Sequence, residues 1–488
     1  MRLLASFLMF LALAVPAMAE KIAMVIGMAA YESVPGLKNT INDAKRVGAK
    51  LEQVGFKVTY VLDATQQQLL DTMDSFSFAS ETADVALVYY AGHGVEASGQ
   101  NFLIPVDAKV RSIKDVARVS VSLDQMLAAV DHARKMRIVI LDACRNNPFG
   151  ELLSASDIGE GGVAEQGLAP VNPEQGTLVA FAQQKNKVAL DGAGDNSPYA
   201  LALTESITEP DLEIGLMFRR VRDEVLKATD NKQEPWTNGS LSGTPFYLAG
   251  SSDGVADPEA AADPRVAWAG IKPDAEQRMR SLAEEGDPRS MLGLAYIAQN
   301  PNDSRYDPKL ALDYMTRAAA AGEAEAEFEL AKIYEQGLGV PPDPKRALEL
   351  YQAAADQGFA DALNDLGFLY FQGGLGLVPD QAKGIEYFQK AAALRHPEAM
   401  FNMAGMIDGG FLRDKGPKDA AAYLYDSLRA GSADVLNQLT TNAEAFSPKT
   451  RVELQKILKE HNFLEGKADG KFGPGAIAAI RLAYGLKD

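Results

Sequence analysis

The chain opens its main body with short apolar runs separated by amphipathic stretches. The runs IAMVI (22–26), KVTYVL (57–62), VALVYY (85–90), RIVIL (137–141) and TLVAFA (177–182) predict strands, with a sixth at 245–249. Between the first two, Ala44, Val47, Leu51 and Val54 recur at helical spacing behind Asn42 and Asp43, which are good N-cap types. Comparable helical patterns occupy 66–80, 122–134, 197–208 and 213–228. Strands that are apolar throughout imply burial on both faces, and helical crossovers imply a largely parallel sheet. Residues 20–250 therefore predict an α/β sandwich.

Residues 251–272 are rich in Ala, Asp, Pro and Gly without a period, and predict a linker. From 273 to 435 the chain repeats itself. Gly286, Gly322, Gly358, His396 and Gly431 align at spacings of 36, 36, 38 and 35, and Leu294, Leu330 and Leu366 at 36. Such a period with alanine-rich amphipathic pairs predicts stacked helical hairpins, an α-solenoid. His396, at a turn and without another His or Cys nearby, reads as structural. Residues 446–488 predict a small all-α domain: a helix carrying Leu454, Ile457 and Leu458, a turn at Gly466, a tight loop DGKFGP at 469–474, and a second helix. His132 and His461 read as surface residues.

At the front, Arg2, the apolar stretch 3–15 and the small-residue motif Ala17-Met18-Ala19 predict a secretory signal over 1–19, and hence an exported protein, periplasmic or extracellular. A membrane anchor is the competing reading, but the run stops at Pro16, short of the ~18 residues that span a bilayer. No later segment predicts a membrane span.

Composition then narrows the chemistry. In 488 residues, 66 acidic against 48 basic side chains give a net charge of -18, and without a basic patch this argues against nucleic acid as a partner. Cys144 is the sole cysteine and there are four histidines, so intramolecular disulfides and cysteine-rich zinc sites are excluded. Thiol chemistry, if any, rests on Cys144. It follows a buried-strand run in RIVILDACRNNPF, and His93 ends another in VALVYYAGHG, so strand adjacency would bring both to the carboxyl edge of the sheet. Gly92 and Gly94 flank the histidine and allow close backbone approach.

The motifs AMVIGMAAY, LKNTINDA, YYAGHG, NFLIPVDA, LDACRNNPF and VALDGAGDNSPY resemble the caspase-like cysteine peptidases, in their bacterial, metacaspase-related branch. The resemblance implies a caspase-like sandwich and an endopeptidase with a dyad of His93 and Cys144. It also implies an oxyanion hole made by the backbone N–H groups of Gly94 and Cys144. True caspases carry glutamine two residues before the nucleophile, whereas this chain has Asp142; a carboxylate there would attract Arg or Lys in the substrate. Asp191 is a second candidate wall of the pocket by positional analogy. Gln183-Gln184-Lys185-Asn186 replaces a Thr-Ala-Pro-Gly type of turn and borders the expected substrate groove. Residues 146–184 contain no Lys or Arg where about four would be expected, so an enzyme specific for basic residues would not cut itself there. No cofactor is expected. Some metacaspases need calcium, but no EF-hand loop is present.

The hairpins resemble Sel-one-like repeats of the tetratricopeptide type, which implies a protein partner on the solenoid. The segment 448–484, through Leu454-Gln455 and the DGKFGP loop, resembles peptidoglycan-binding domains, which implies peptidoglycan as a further partner; a helical cap docked on the repeats is the alternative. Two other functions remain open at this stage. One is a non-catalytic caspase-like scaffold that binds through its repeats, and the other is a cell-wall amidase using the same thiol.

Overall fold

The computed structural model describes residues 20–97, 99–111, 113–144, 149, 176–184, 189–190, 192, 194–250 and 263–486. Its first unit runs β1 (Lys21–Gly27), α1 (Thr40–Gln53), β2 (Phe56–Leu62), α2 (Gln66–Ser80), β3 (Val85–Ala97), β4 (Gln100–Leu103), α3 (Ile113–Val119), β5 (Val121–Ser122), α4 (Leu123–Val130), β6 (Met136–Cys144), β7 (Thr177–Phe181), α5 (Pro198–Ile207), α6 (Ile214–Ala228) and β8 (Trp236–Ser240). The sheet order is β2-β1-β3-β6-β7-β8, parallel except for β8. β4 and β5 form a side ribbon on the far end of β3.

The apolar runs are continuous because both faces are covered. Val25, Tyr89 and Ile140 pack under α1, α5 and α6, while Met24, Tyr90 and Leu141 pack under α2 and α4. Helix starts follow local chemistry: Thr65 with Gln68 and Ser122 with Gln125 form reciprocal capping boxes.

The predicted strand at 245–249 is replaced by β8, which ends the sheet. An edge strand has one neighbour and tolerates the polar sequence Trp-Thr-Asn-Gly-Ser. Residues 245–249 instead lie against the start of α6, where Ile214 N–H donates to the Phe246 carbonyl at 2.9 Å and Phe246 and Leu248 join the core.

The second unit comprises α7 (Pro264–Ala269), α8 (Pro273–Glu284), α9 (Pro288–Gln299), α10 (Pro308–Ala320), α11 (Ala324–Gln336), α12 (Pro344–Asp356), α13 (Ala360–Gln372), α14 (Gln381–Ala393), α15 (Pro397–Asp408), α16 (Pro417–Ala430) and α17 (Ala433–Thr441). The stretch read as a linker thus ends in α7, whose buried Trp268 donates its indole N–H to the Gly243 carbonyl at 2.5 Å; residues 251–262 lie outside the described residues. Asp307, Asp343 and Asp380 cap α10, α12 and α14 in turn, one repeat apart.

The repeat register differs from the sequence alignment by one residue. Gly286, Gly322, Gly358 and Gly431 all have left-handed φ, and the residue in that role in the fourth turn is Arg395 (φ 58°), not His396. His396 is the N-cap of α15, its Nδ1 accepting the Ala399 N–H at 3.2 Å.

Two last helices, α18 (Pro448–Glu460) and α19 (Pro474–Tyr484), share one apolar cluster with α16 and α17 through Leu424, Leu428, Leu439, Leu454, Leu458 and Ile480. The Leu454-Gln455 pair works inward. The Gln455 amide accepts the Gly470 N–H at 2.7 Å and donates to the Lys471 carbonyl at 2.9 Å, closing the 469–474 loop on α18.

The repeats meet the first unit at the N-terminal edge of its sheet, in two places. On one side Arg289 pairs with Glu213 at 2.9 Å, Arg219 with Asp287 at 2.6 Å, and Glu325 accepts the Gly243 N–H just beyond β8. On the other, buried Arg429 of α16 pairs with Glu81 at 2.8 Å, donates to the Ala483 carbonyl at 2.9 Å and lies over Phe78, while Arg134 donates to the carbonyls of Arg429 and Tyr484. His132 and His461, predicted as surface residues, belong to this junction: His132 lies 3.7 Å from Glu81 and His461 stacks between Tyr425 and Phe78.

Candidate active site

The centre of the site follows from strand register. β3 is long because it changes neighbours along its length: β1 ends at Gly27, opposite Ala91, and the antiparallel pairing with β4 starts at Gly94, opposite Leu103, the last residue of β4. On its other side β3 pairs with β6 up to a last pair, His93 with Cys144. Adjacent strands lie about 4.8 Å apart, so these two backbones are immediate neighbours at the carboxyl edge.

His93 is buried and its imidazole is oriented. Nε2 lies 2.9 Å from the Pro35 carbonyl, which can only accept, so this nitrogen carries the proton. Nδ1 is buried and has no hydrogen-bond partner among the described residues. Burial pushes the imidazole below its ordinary pKa, with the Pro35 carbonyl pulling the other way. The ring is therefore neutral at pH 7 and presents a bare Nδ1 lone pair, the form needed to accept a proton.

Gly94 sits opposite Leu103 in the ribbon, and Ile104 N–H donates to the His93 carbonyl at 3.1 Å. That bond makes Gly94 and Leu103 a non-hydrogen-bonded pair, so the Gly94 N–H points away from β4, toward the side of β3 where Cys144 lies.

Asp142, two residues before Cys144, is buried. Its carboxylate accepts from the Ser197 hydroxyl at 2.7 Å and the Tyr89 hydroxyl at 3.0 Å. A second buried carboxylate, Asp43 of α1, accepts the Ser197 N–H at 3.0 Å and the Asn196 amide at 2.8 Å. Ser197 therefore bridges two acids, one from α1 and one from β6. Burial, with Asp142 and Asp43 alongside, pushes the Tyr89 phenol well above its ordinary pKa and keeps it a donor. Sequence reasoning took Asp43 for a helix-capping type; the signal that could have singled it out was a carboxylate one helical turn ahead of Val47 with its Cβ on the same inward face.

Asp191 lies outside the described residues, as do Lys185 and Asn186. Gln183 is fully buried and its amide is used internally, accepting the N–H groups of Gln184 and Glu234 at 2.9 Å each. It braces the turn after β7 instead of offering a side chain to a groove. Among the described residues no group of three or more His, Cys, Asp and Glu is placed to hold a metal ion, and no helix is long and apolar enough to cross a membrane.

Comparison with known proteins bears on this geometry. Residues 20–247 match the caspase domain family, and 288–323, 324–359 and 360–396 each match the Sel1 repeat. The chain carries a caspase domain followed by Sel1 repeats. The caspase domain family is one of cysteine peptidases, and the match supports a protease-type function. Over 93 residues the chain is 37% identical to mucosa-associated lymphoid tissue lymphoma translocation protein 1 of Homo sapiens and to its homolog in Mus musculus. That match spans 19% of this chain and 11% of either relative. A Sel1 repeat protein from Oxalobacter formigenes superimposes with a TM-score of 0.34 at 18% identity, over 42% of this chain and 89% of that one.

Proposed function

We propose that the protein is an exported cysteine endopeptidase that cleaves after Arg or Lys, with Cys144 as nucleophile and His93 as its base. The observation that carries this reading is the register pair His93 and Cys144 at the carboxyl edge, with Nδ1 of a neutral imidazole finding no hydrogen-bond partner among the described residues. In the reaction, Nδ1 takes the thiol proton and the thiolate attacks the scissile carbonyl. The N–H groups of Gly94 and Cys144 would hold the resulting oxyanion. The imidazolium returns its proton to the departing amine, and water then hydrolyses the thioester.

Two buried carboxylates joined through Ser197 support the preference for a basic residue, because an acidic side chain entering beside Asp43 and Asp142 would add a third negative charge in a low dielectric. The leader at 1–19 supports export. Sel1 repeats commonly mediate protein-protein contacts, and here they would recruit a substrate or regulator.

The test is amidolysis of short fluorogenic peptides with Arg, Lys or Asp at the cleaved position. Turnover of the Arg and Lys peptides, abolished in Cys144→Ala with an unchanged melting temperature, is the expected result. Equal turnover in that variant would refute the assignment.

A further inference from the structure

We infer that Tyr31 is the positioning residue of His93, an inference that rests on the reading of His93 as the base. At His93 the strand β3 has lost β1 and not yet gained β4. Its N–H, on the side those strands occupy, has no strand acceptor. The Tyr31 hydroxyl takes that place, accepting the His93 N–H at 2.8 Å. The same tyrosine lays its ring against the imidazole, with centroids 4.6 Å apart and planes tilted by 48°. One side chain thus holds both the backbone and a face of the histidine.

The surrounding geometry is arranged for this contact. A Cβ on Gly92 would come within 2.7 Å of the Tyr31 hydroxyl and 2.6 Å of the Tyr90 hydroxyl, so the glycine makes room for both. The segment that carries Tyr31 is pinned on each side. The N–H groups of Ala29 and Ala30 donate to Asp63 Oδ1 at 2.7 and 2.9 Å, Met28 N–H donates to the Ala91 carbonyl at 2.9 Å, and Glu32 N–H donates to the Val106 carbonyl at 2.9 Å. Four residues after Tyr31 the same segment delivers the Pro35 carbonyl to Nε2. Tyr31 therefore joins the element that selects the tautomer to the strand that carries the ring. Losing its hydroxyl would leave the imidazole free to tilt off Pro35, and Nδ1 would no longer be kept bare.

Tyr31→Phe keeps the ring and removes the acceptor. Expected are a fall in kcat of about tenfold or more with KM within about twofold of wild type, and a melting temperature within about 2 °C. Independently of activity, ring 15N shifts of His93, assigned against the other three histidines with a His93→Gln control, report its tautomer. Wild type should hold the Nε2–H form, and Tyr31→Phe should show a mixture with a pKa raised toward that of a free histidine. Wild-type kcat together with an unchanged tautomer in Tyr31→Phe would overturn the inference. So would a loss of activity that only follows a loss of stability with the tautomer unchanged, since that would make Tyr31 a prop for the fold. If wild type fails to cleave any basic peptide, the peptidase reading fails, and the 15N measurement still decides the role of Tyr31.

Discussion

Asp43 and Asp142, two residues with ordinary local roles, are brought together by Ser197 beside the candidate site. Each carboxylate is buried and hydrogen-bonded to Ser197, one through its N–H and one through its hydroxyl. Asp43→Asn keeps the acceptor toward Ser197 while removing a charge. It should lower kcat/KM for Arg and Lys peptides by about 10- to 100-fold, the scale of one charge-assisted hydrogen bond of about 1.5–3 kcal/mol, with little effect on thiol alkylation by iodoacetamide. Equal loss in both assays would mean that Asp43 supports the fold and not specificity. Cys144, His93 and Asp142 stand out in the sequence as candidates because each follows an apolar run with a chemically informative neighbour. Asp43 and Tyr31 were not, since their partners, Ser197 and His93, are 154 and 62 residues away.

At the scale of elements, legibility followed burial. The strands covered on both faces stand out as apolar runs, whereas β4, β5 and β8 have a single neighbour or a short span and carry mixed sequences. The repeat period was plain, but the turn between α14 and α15 was aligned one residue late, because Arg395 adopts there the left-handed conformation that glycine takes elsewhere. Alignment by residue type could not see a backbone angle. The same repeats hold carboxylates that their packing opposes. Burial beside Glu325 and Asp287 pushes Glu323, at the N-terminus of α11, up to about 7. Because its folded pKa exceeds its unfolded one, the protein loses stability as pH rises from the unfolded value through about 7, and regains it on acidification. Glu323→Gln should therefore raise the melting temperature at pH 8 by about 2–4 °C and leave it nearly unchanged at pH 5. A shift of equal size at both pH values would exclude the titration.

For the whole molecule, the C-terminal helices act as a clasp. Arg429 bonds to the first unit through Glu81 and to α19 through the Ala483 carbonyl, while Arg134 reaches back to Tyr484. The sequence reads this region as a peptidoglycan-binding-like domain or a helical cap docked on the repeats; its apolar residues share one cluster with the last hairpins. Such a junction depends on side chains from three distant parts of the chain, which is why no local pattern announces it. Arg429→Ala would strip Glu81 of its buried partner, at a cost of about 3–5 kcal/mol to the junction. Expected are a larger radius of gyration in small-angle scattering and faster tryptic cleavage between the units, with turnover of short peptides within about twofold of wild type. Unchanged dimensions would show that the contacts around Arg289 suffice alone.

That last expectation comes from where the repeats grip the sheet. Glu81, Arg134, Glu213 and Gly243 all stand at the edge of the sheet where the parallel strands start, and His93 and Cys144 at the edge where β3 and β6 pair last. A pull on the solenoid, from a tethered partner or an anchored surface, would therefore reach the sheet at the edge away from His93 and Cys144. For the peptidase proposed above, immobilisation through the repeats should leave turnover of bulky, folded substrates unchanged.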